Sequence, residues 1–472
     1  MIKRILSHSA IYGLAPFIPQ IAGVFVLPII TKYLTDVDFG IAGTIAAYTG
    51  AISVFSTLGM NIVLTTTFYK SKCQYKWLWR QIYGFLQYWM ILFAILQGVL
   101  LYFIIPQEAQ ENRWNIIILA NFSTVFFGAT SLMGTLHYRL LLKPTPIAVR
   151  SVIAGLITVL SNLIFVAHFK MGYMGWYVSS FIAGCFMNLS YWWVVNKTWK
   201  LSPIYNFKWK TIKKYLGISL PTVPHYYSSY LLNSSNRFVM DRFGVPMGSI
   251  GNYNLAAQFG GYFEMFVGAI TAAINPMTME QIRDNKEDIA QKMIFFMSII
   301  IISATFLFSL WSKEIFIFLI RNEELQRMYP LAIILVMAYN YRPMYAASGN
   351  MFIYHEKTKG LLKISFAAGI MAFISYIIII PIWGIYGAAI INYVFLQYMG
   401  YSGFFMKEYK EKTKVSYPYL KVLGITLILT IAVFFCVEFS WLVKIIISLI
   451  FMSVLFLIFR SLKIDNKGKM IF

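Results

Sequence analysis

The chain has 472 residues, of which 59% are hydrophobic, 18% aromatic and 12% charged, and its formal net charge is +22. An ordinary soluble domain is about half apolar and about a quarter charged, so the apolar surplus has no soluble core to fill and the chain is expected in a bilayer. Continuous apolar runs argue against an outer-membrane barrel, whose strands alternate at period two. Three cysteines, Cys73, Cys185 and Cys436, fall in different segments with no CxxC pair, which supports neither a disulfide framework nor a zinc site.

At about 20 residues per crossing, the apolar runs predict fourteen helices. In chain order they cover residues 9–31, 41–66, 82–105, 115–136, 149–169, 174–195, 217–240, 250–275, 293–311, 329–352, 362–381, 385–406, 419–437 and 441–459. The first follows Lys3 and Arg4 but lacks a small-residue cleavage site, so it reads as a retained span. Alternate loops carry 30 Lys and Arg on the side holding both termini and 9 on the other, with Arg342 inside a span. The positive-inside rule then places both termini in the cytoplasm. The lysines near Lys70, Lys72 and Lys76, in 197–214 and in 407–414 are expected to face anionic headgroups, so no nucleic-acid partner is expected. Trp77, Trp79, Trp192 and Trp193 stand where an interfacial belt belongs.

Matched features divide the chain. Pro16 and Pro19 open the first span and Pro221 and Pro224 the seventh; Gly40 and Gly251 start spans two and eight; Gly172 and Gly175 start the sixth as Gly384 and Gly387 start the twelfth. The expected fold is an all-α polytopic membrane protein of about fourteen helices. Two six-helix lobes, 1–195 and 217–406, are related by a pseudo-twofold axis along the membrane normal, with the substrate site between them. Residues 196–216 link the lobes, with Trp209, Ile212 and Leu216 on one face of a short helix expected in the headgroup layer. Residues 407–472 add spans thirteen and fourteen, where Lys444 is expected to snorkel to the interface.

No GxxxxGK[ST], metal-ligand cluster or nucleophile elbow is present, so neither an enzyme nor a cofactor is expected. Polar groups inside the membrane are the functional candidates, because inserting them is costly. Arg342, before Pro343 in span ten, suits either an anionic substrate group or an internal pairing that fixes helices; Asn340 accompanies it. Glu264 in span eight suits either a coupling ion or neutralisation of Arg342. Span seven carries His225, Tyr226, Tyr230, Asn233, Asn236 and Arg237 within thirteen residues. A helix so polar should line a wet cavity suited to sugars. For Arg237 the alternative is an interfacial headgroup contact, and for His225 a packed side chain.

Three segments carry a resemblance: Tyr33-Leu-Thr-Asp-Val-Asp-Phe-Gly40; Asn236-Arg237-Phe-Val-Met-Asp-Arg-Phe-Gly244 with Gly251-Asn-Tyr-Asn-Leu-Ala256; and Pro381-Ile-Trp-Gly-Ile-Tyr-Gly-Ala-Ala389. They resemble the polysaccharide (Wzx-type) flippases of the multidrug/oligosaccharidyl-lipid/polysaccharide exporter superfamily. The resemblance implies movement of an undecaprenyl-pyrophosphate-linked oligosaccharide across a bacterial inner membrane by lobes that alternate between inward-open and outward-open forms. It also implies partners in membrane lipid, a polysaccharide polymerase and other export machinery. The first span has no arginine after Arg4, a cation that related lipid flippases place in the cavity. Two rivals stand beside this reading. A cation-coupled multidrug exporter would use Glu264 as its ion site; an oligosaccharide polymerase would need a larger outer loop than 312–328.

Overall fold

A computed structural model of the chain describes residues 18–70, 74–413, 415–461, 463–464 and 470–471. Lys3, Arg4, Pro16, Lys72, Cys73 and Lys414 lie outside the described residues, as do the side chains of Pro19, His225 and Tyr226. The chain forms two compact units, 1–251 and 252–472. That division falls later than the 196–216 linker.

The first unit contains α1 (Ile18–Ile30), α2 (Asp36–Ser53), α3 (Met60–Lys70), α4 (Tyr75–Ile104), α5 (Arg113–Phe127), α6 (Thr130–Leu140), α7 (Thr145–Asn162), α8 (Tyr173–Trp193), α9 (Trp209–Ser219), α10 (Val223–Asn233) and α11 (Ser235–Arg242). It also holds the first turns of α12 (Met247–Arg283), which continues into the second unit. Helix α7 packs on α1 and α8, and α5 packs on α4 and α8.

Local chemistry sets the boundaries. Thr35 and Asp38 form a capping box at the start of α2: the Asp38 N–H donates to Thr35 Oγ1 (3.2 Å) and the Thr35 N–H to Asp38 Oδ2 (2.8 Å). Such a cap contributes about 1 kcal/mol. The other Asp38 oxygen accepts the Tyr173 N–H (2.8 Å), joining the starts of α2 and α8. Span two breaks at Leu58 and Gly59, both with positive φ, and span four bends by 55° at Gly128.

Residues 199–208 are strapped to α4. Arg80 Nε donates to the Ser202 carbonyl (2.8 Å), and the Lys208 N–H donates to Gln81 Oε1 (2.7 Å). Gly84 lies so close to the Ile204 carbonyl that a β-carbon would sit 1.9 Å from it. Two expectations are corrected here. Helix α9 docks on α3 with Ile212 fully buried in the cluster around Trp79 and Tyr83, while Trp209, Ile218 and the lysines are left outward. Trp79 is not part of a belt: it is buried, with Nε1 donating to the Leu64 carbonyl (3.1 Å).

The second unit continues with α13 (Glu287–Leu310), α14 (Ser312–Leu319), α15 (Glu323–Gln326), α16 (Tyr329–Met337), α17 (Arg342–Tyr354), α18 (Thr358–Tyr401), α19 (Lys407–Lys410), α20 (Tyr419–Cys436) and α21 (Trp441–Ser461). Lys463–Ile464 and Met470–Ile471 form a short antiparallel pair. Helix α18 packs on α16 and α17, and α20 packs on α13 and α16. The expected spans eleven and twelve are two helices that meet at Gly384, whose φ and ψ are not helical. Gly384 (φ 55°, ψ −137°) and Gly172 (φ 54°, ψ −139°) share one conformation that side chains disfavour.

Lys444 does not snorkel. It is fully buried and donates to both carboxylate oxygens of Glu314, at 2.7 and 2.8 Å. An acid across the fold, within reach of the ammonium, makes burial cheaper than extension.

Among the described residues six helices are long and apolar enough to cross a membrane, or seven with the bent α5–α6 pair. The protein is an all-helical, multi-pass membrane protein.

Candidate functional site

In the first unit the polar seventh segment is broken at Ser234, between α10 and α11. The break brings Asn233, Asn236 and Arg237 together: Arg237 Nη1 donates to the Asn233 carbonyl (3.4 Å), and the Arg237 N–H donates to Asn236 Oδ1 (2.8 Å). Asn233 and Arg237 are half-buried, whereas Asn236, Ser228 and Ser235 are buried within the protein. The segment therefore does not display all its polar groups. Ser235 Oγ turns back to the Leu231 carbonyl (2.5 Å), as helical serines often do. Tyr230 is half-buried, 5.3 Å from the Tyr227 ring and against Gly50.

Beside this break α2 crosses α11 and the start of α12 at very short range. A β-carbon on Gly40 would lie 2.1 Å from the Met247 carbonyl oxygen. One on Gly251 would lie 1.7 Å from the Asp36 carbonyl oxygen and 2.7 Å from the Gly40 nitrogen. Only glycine permits that approach. Tyr48 OH donates to Asp241 Oδ2 (2.6 Å), its ring meets Phe238 edge-on at 5.2 Å, and Thr44 Oγ1 lies 3.7 Å from Met247 Sδ. Sequence reasoning paired Gly40 with Gly251 as equivalent positions; their direct contact and the Tyr48–Asp241 bond escaped it. An acid and a tyrosine 193 residues apart leave no local signal.

In the second unit Glu264 is exposed on α12. Tyr339 OH donates to Glu264 Oε2 (3.2 Å). Arg342 Nη1 donates to Tyr341 OH (3.1 Å), and its guanidinium carbon lies 5.8 Å from the centre of the Tyr345 ring. Among the described residues no carboxylate lies within 4.0 Å of Arg342. The expected neutralisation of Arg342 by Glu264 is thus not a direct ion pair; tyrosines stand at both groups.

Expected span ten passes through a 3-10 turn over Ala338–Tyr341, between α16 and α17 and immediately before Arg342 and Pro343. The Ala338 carbonyl, freed by that turn, accepts from Gln397 Nε2 (3.0 Å). Asn340 is buried, with Oδ1 accepting from Thr305 Oγ1 (2.8 Å), so it fixes α13 to this turn and does not face a cavity. Arg342, half-buried, projects from a break that other side chains stabilise.

These features define a helical, multi-pass membrane protein with helices broken beside polar residues, and with a cation and an acid set among tyrosines. The chain belongs to the polysaccharide biosynthesis protein family, whose model matches residues 5–282. Its fold is similar to that of the lipid II flippase MurJ in an inward closed conformation, with a TM-score of 0.74, 16% identity, and 95% of this chain and 98% of that one covered. It is also similar to a crystal structure of MATE in complex with MaL6, with a TM-score of 0.54, 12% identity, and coverage of 90% and 96%. No curated protein sequence matches the chain.

Proposed function

We propose that the protein is a flippase that carries undecaprenyl-pyrophosphate-linked oligosaccharides, the repeat units of O-antigen, capsule or exopolysaccharide, from the inner to the outer leaflet of a bacterial inner membrane. Membership of the polysaccharide biosynthesis family, in a chain with the fold of a lipid II flippase, carries this reading. The pyrophosphate is the physical obstacle, because such a charge cannot cross hydrocarbon unaided. Arg342 and Arg237 supply guanidinium forks suited to phosphate oxygens. Tyr226, Tyr230 and Asn233 meet the sugar, with Asn236 and Asn340 holding the two helix breaks from which the arginines project.

Transport proceeds by alternating access of two six-helix lobes, 1–195 and 217–406, within a fourteen-span chain with both termini in the cytoplasm. In that orientation the Gly40–Gly251 crossing lies on the outer side and is shut. Lipid is the surrounding partner, and a polysaccharide polymerase receives the product.

The test is a scrambling assay. Purified protein in liposomes holding a fluorescent undecaprenyl-pyrophosphate-linked oligosaccharide should speed exposure of the dye to a membrane-impermeant quencher. Equal rates with and without protein overturn the proposal. The exposure of Glu264 favours a second reading, cation-coupled export. Glu264→Gln that inserts normally but loses transport supports coupling; loss of the protein itself points to a structural role.

A further inference from the structure

A groove of about 660 Å³ runs between α4 and α5, on a face that the oligosaccharide reading leaves unused. Gly98 and Val99 line it from α4, and Ile118 and Phe122 from α5. Asn121, at its floor, is buried and turns its amide nitrogen back onto the Ile117 carbonyl (3.0 Å), leaving its Oδ1 in apolar surroundings as an acceptor with no partner among the described residues. Gly98 keeps the floor deep, because a side chain there would fill the space against Ile117 and Asn121. From Trp114 to Phe126 the α5 wall is about 18 Å long at 1.5 Å per residue. Half of a hydrocarbon core of about 30 Å is about 15 Å, so the groove has the depth of one leaflet.

A cation stands at one end. Arg113 is the first residue of α5, and its guanidinium lies 4.7 Å from the centre of the ring of Tyr102, a lining residue. Its Nε is buried with no hydrogen-bond partner among the described residues. The nearby acids Glu108 and Glu111 form no ion pair with it. A cation at a helix N-terminus opposes the helix dipole, and an anion beside it would satisfy both. The Asn112 side chain does not cap the helix; it donates to Tyr173 OH instead (2.9 Å).

We propose that this groove is a phospholipid site: one acyl chain lies between α4 and α5, and the phosphate accepts hydrogen bonds from Arg113. The groove's one-leaflet length favours an acyl chain over a polyprenyl chain, and the single cation matches a phosphodiester.

The test uses the full chain in liposomes containing phosphatidylglycerol with a photoactivatable acyl chain, followed by digestion and mapping of the label. Label should concentrate in residues 94–126, and a diacylglycerol with the same photoactivatable chain should label them far less. Arg113→Ala should lower phosphatidylglycerol labelling about fivefold, the value of one basic residue at a membrane surface, and Arg113→Lys should retain part of it. Gly98→Leu, which fills the floor, should abolish labelling while Arg113 stays in place. Equal labelling by both lipids, or of Arg113→Ala and wild type, would reduce the groove to bulk lipid contact and overturn the proposal. Displacement of the label by undecaprenyl pyrophosphate would overturn it in favour of the transported lipid's tail.

Discussion

Replacing Gly251 by alanine adds one methyl group where α12 meets α2. That carbon would lie 1.7 Å from the Asp36 carbonyl oxygen, whereas ordinary carbon–oxygen approach stops at about 3.3 Å. The helices must therefore part by about 1.6 Å. Overpacking costs about 1–3 kcal/mol, and the opposing atoms are backbone, which cannot rotate away. If the crossing exists only in the form closed at this end, the whole cost falls on that form. A bias of about 1–3 kcal/mol shifts the equilibrium about 5–150-fold. The assay is labelling of Thr44→Cys by a membrane-impermeant maleimide in intact cells, since Thr44 is fully buried beside Met247. Gly251→Ala should speed labelling at least about fivefold and reduce glycan export. Gly261→Ala, on the same helix with nothing within 4 Å of the added carbon, should change neither. Gly251→Ala that accumulates normally, labels at the wild-type rate and exports fully would refute the reasoning.

The remaining predictions concern single contacts. Tyr48→Phe removes a hydrogen bond to the Asp241 carboxylate, worth about 1.5–3 kcal/mol, and should speed the same Thr44→Cys labelling, while Asp241→Asn should have a smaller effect. Arg342→Ala should abolish glycan export and Arg342→Lys retain part of it, because charge is required and the fork geometry helps; full export by Arg342→Ala at normal protein level would remove Arg342 from the anion site. Lys444→Met strands the Glu314 carboxylate, which costs about 3–5 kcal/mol, so the melting temperature of the detergent-purified protein should fall. Adding Glu314→Gln should restore most of it. Reporter fusions after Lys214 and Lys412 should read as cytoplasmic and one after Glu111 as external, and any reversal breaks the orientation taken from charge.

Composition and the length of the apolar runs are additive properties, so membrane residence and helical class could be read from them directly. Pro343 signals a bend in span ten, but the groups that satisfy the breaks could not be read, because each is distant in sequence. Gln397 meets the carbonyl freed at Ala338 from 59 residues away, and Glu314 makes burial of Lys444 possible from 130. A polar residue in an apolar run signals only that its hydrogen bonds go somewhere other than lipid. It does not distinguish an exposed group, such as Glu264, from an internal strut, such as Asn340, which is closed off by Thr305. The glycines show the same division. Gly172 and Gly384 were legible as a matched pair because their shared positive φ is a local demand, met within one or two residues. Gly40 and Gly251 were legible as a pair from their spacing, but their contact was not. They matched as equivalent positions in two halves, yet what requires both to be glycine is that they touch. Were the two halves related by a twofold axis near this crossing, both readings would hold, because equivalent residues next to an axis are the ones that meet. Substituting either glycine should then have the same effect, and a difference between Gly40→Ala and Gly251→Ala in the maleimide assay would show the crossing to be asymmetric.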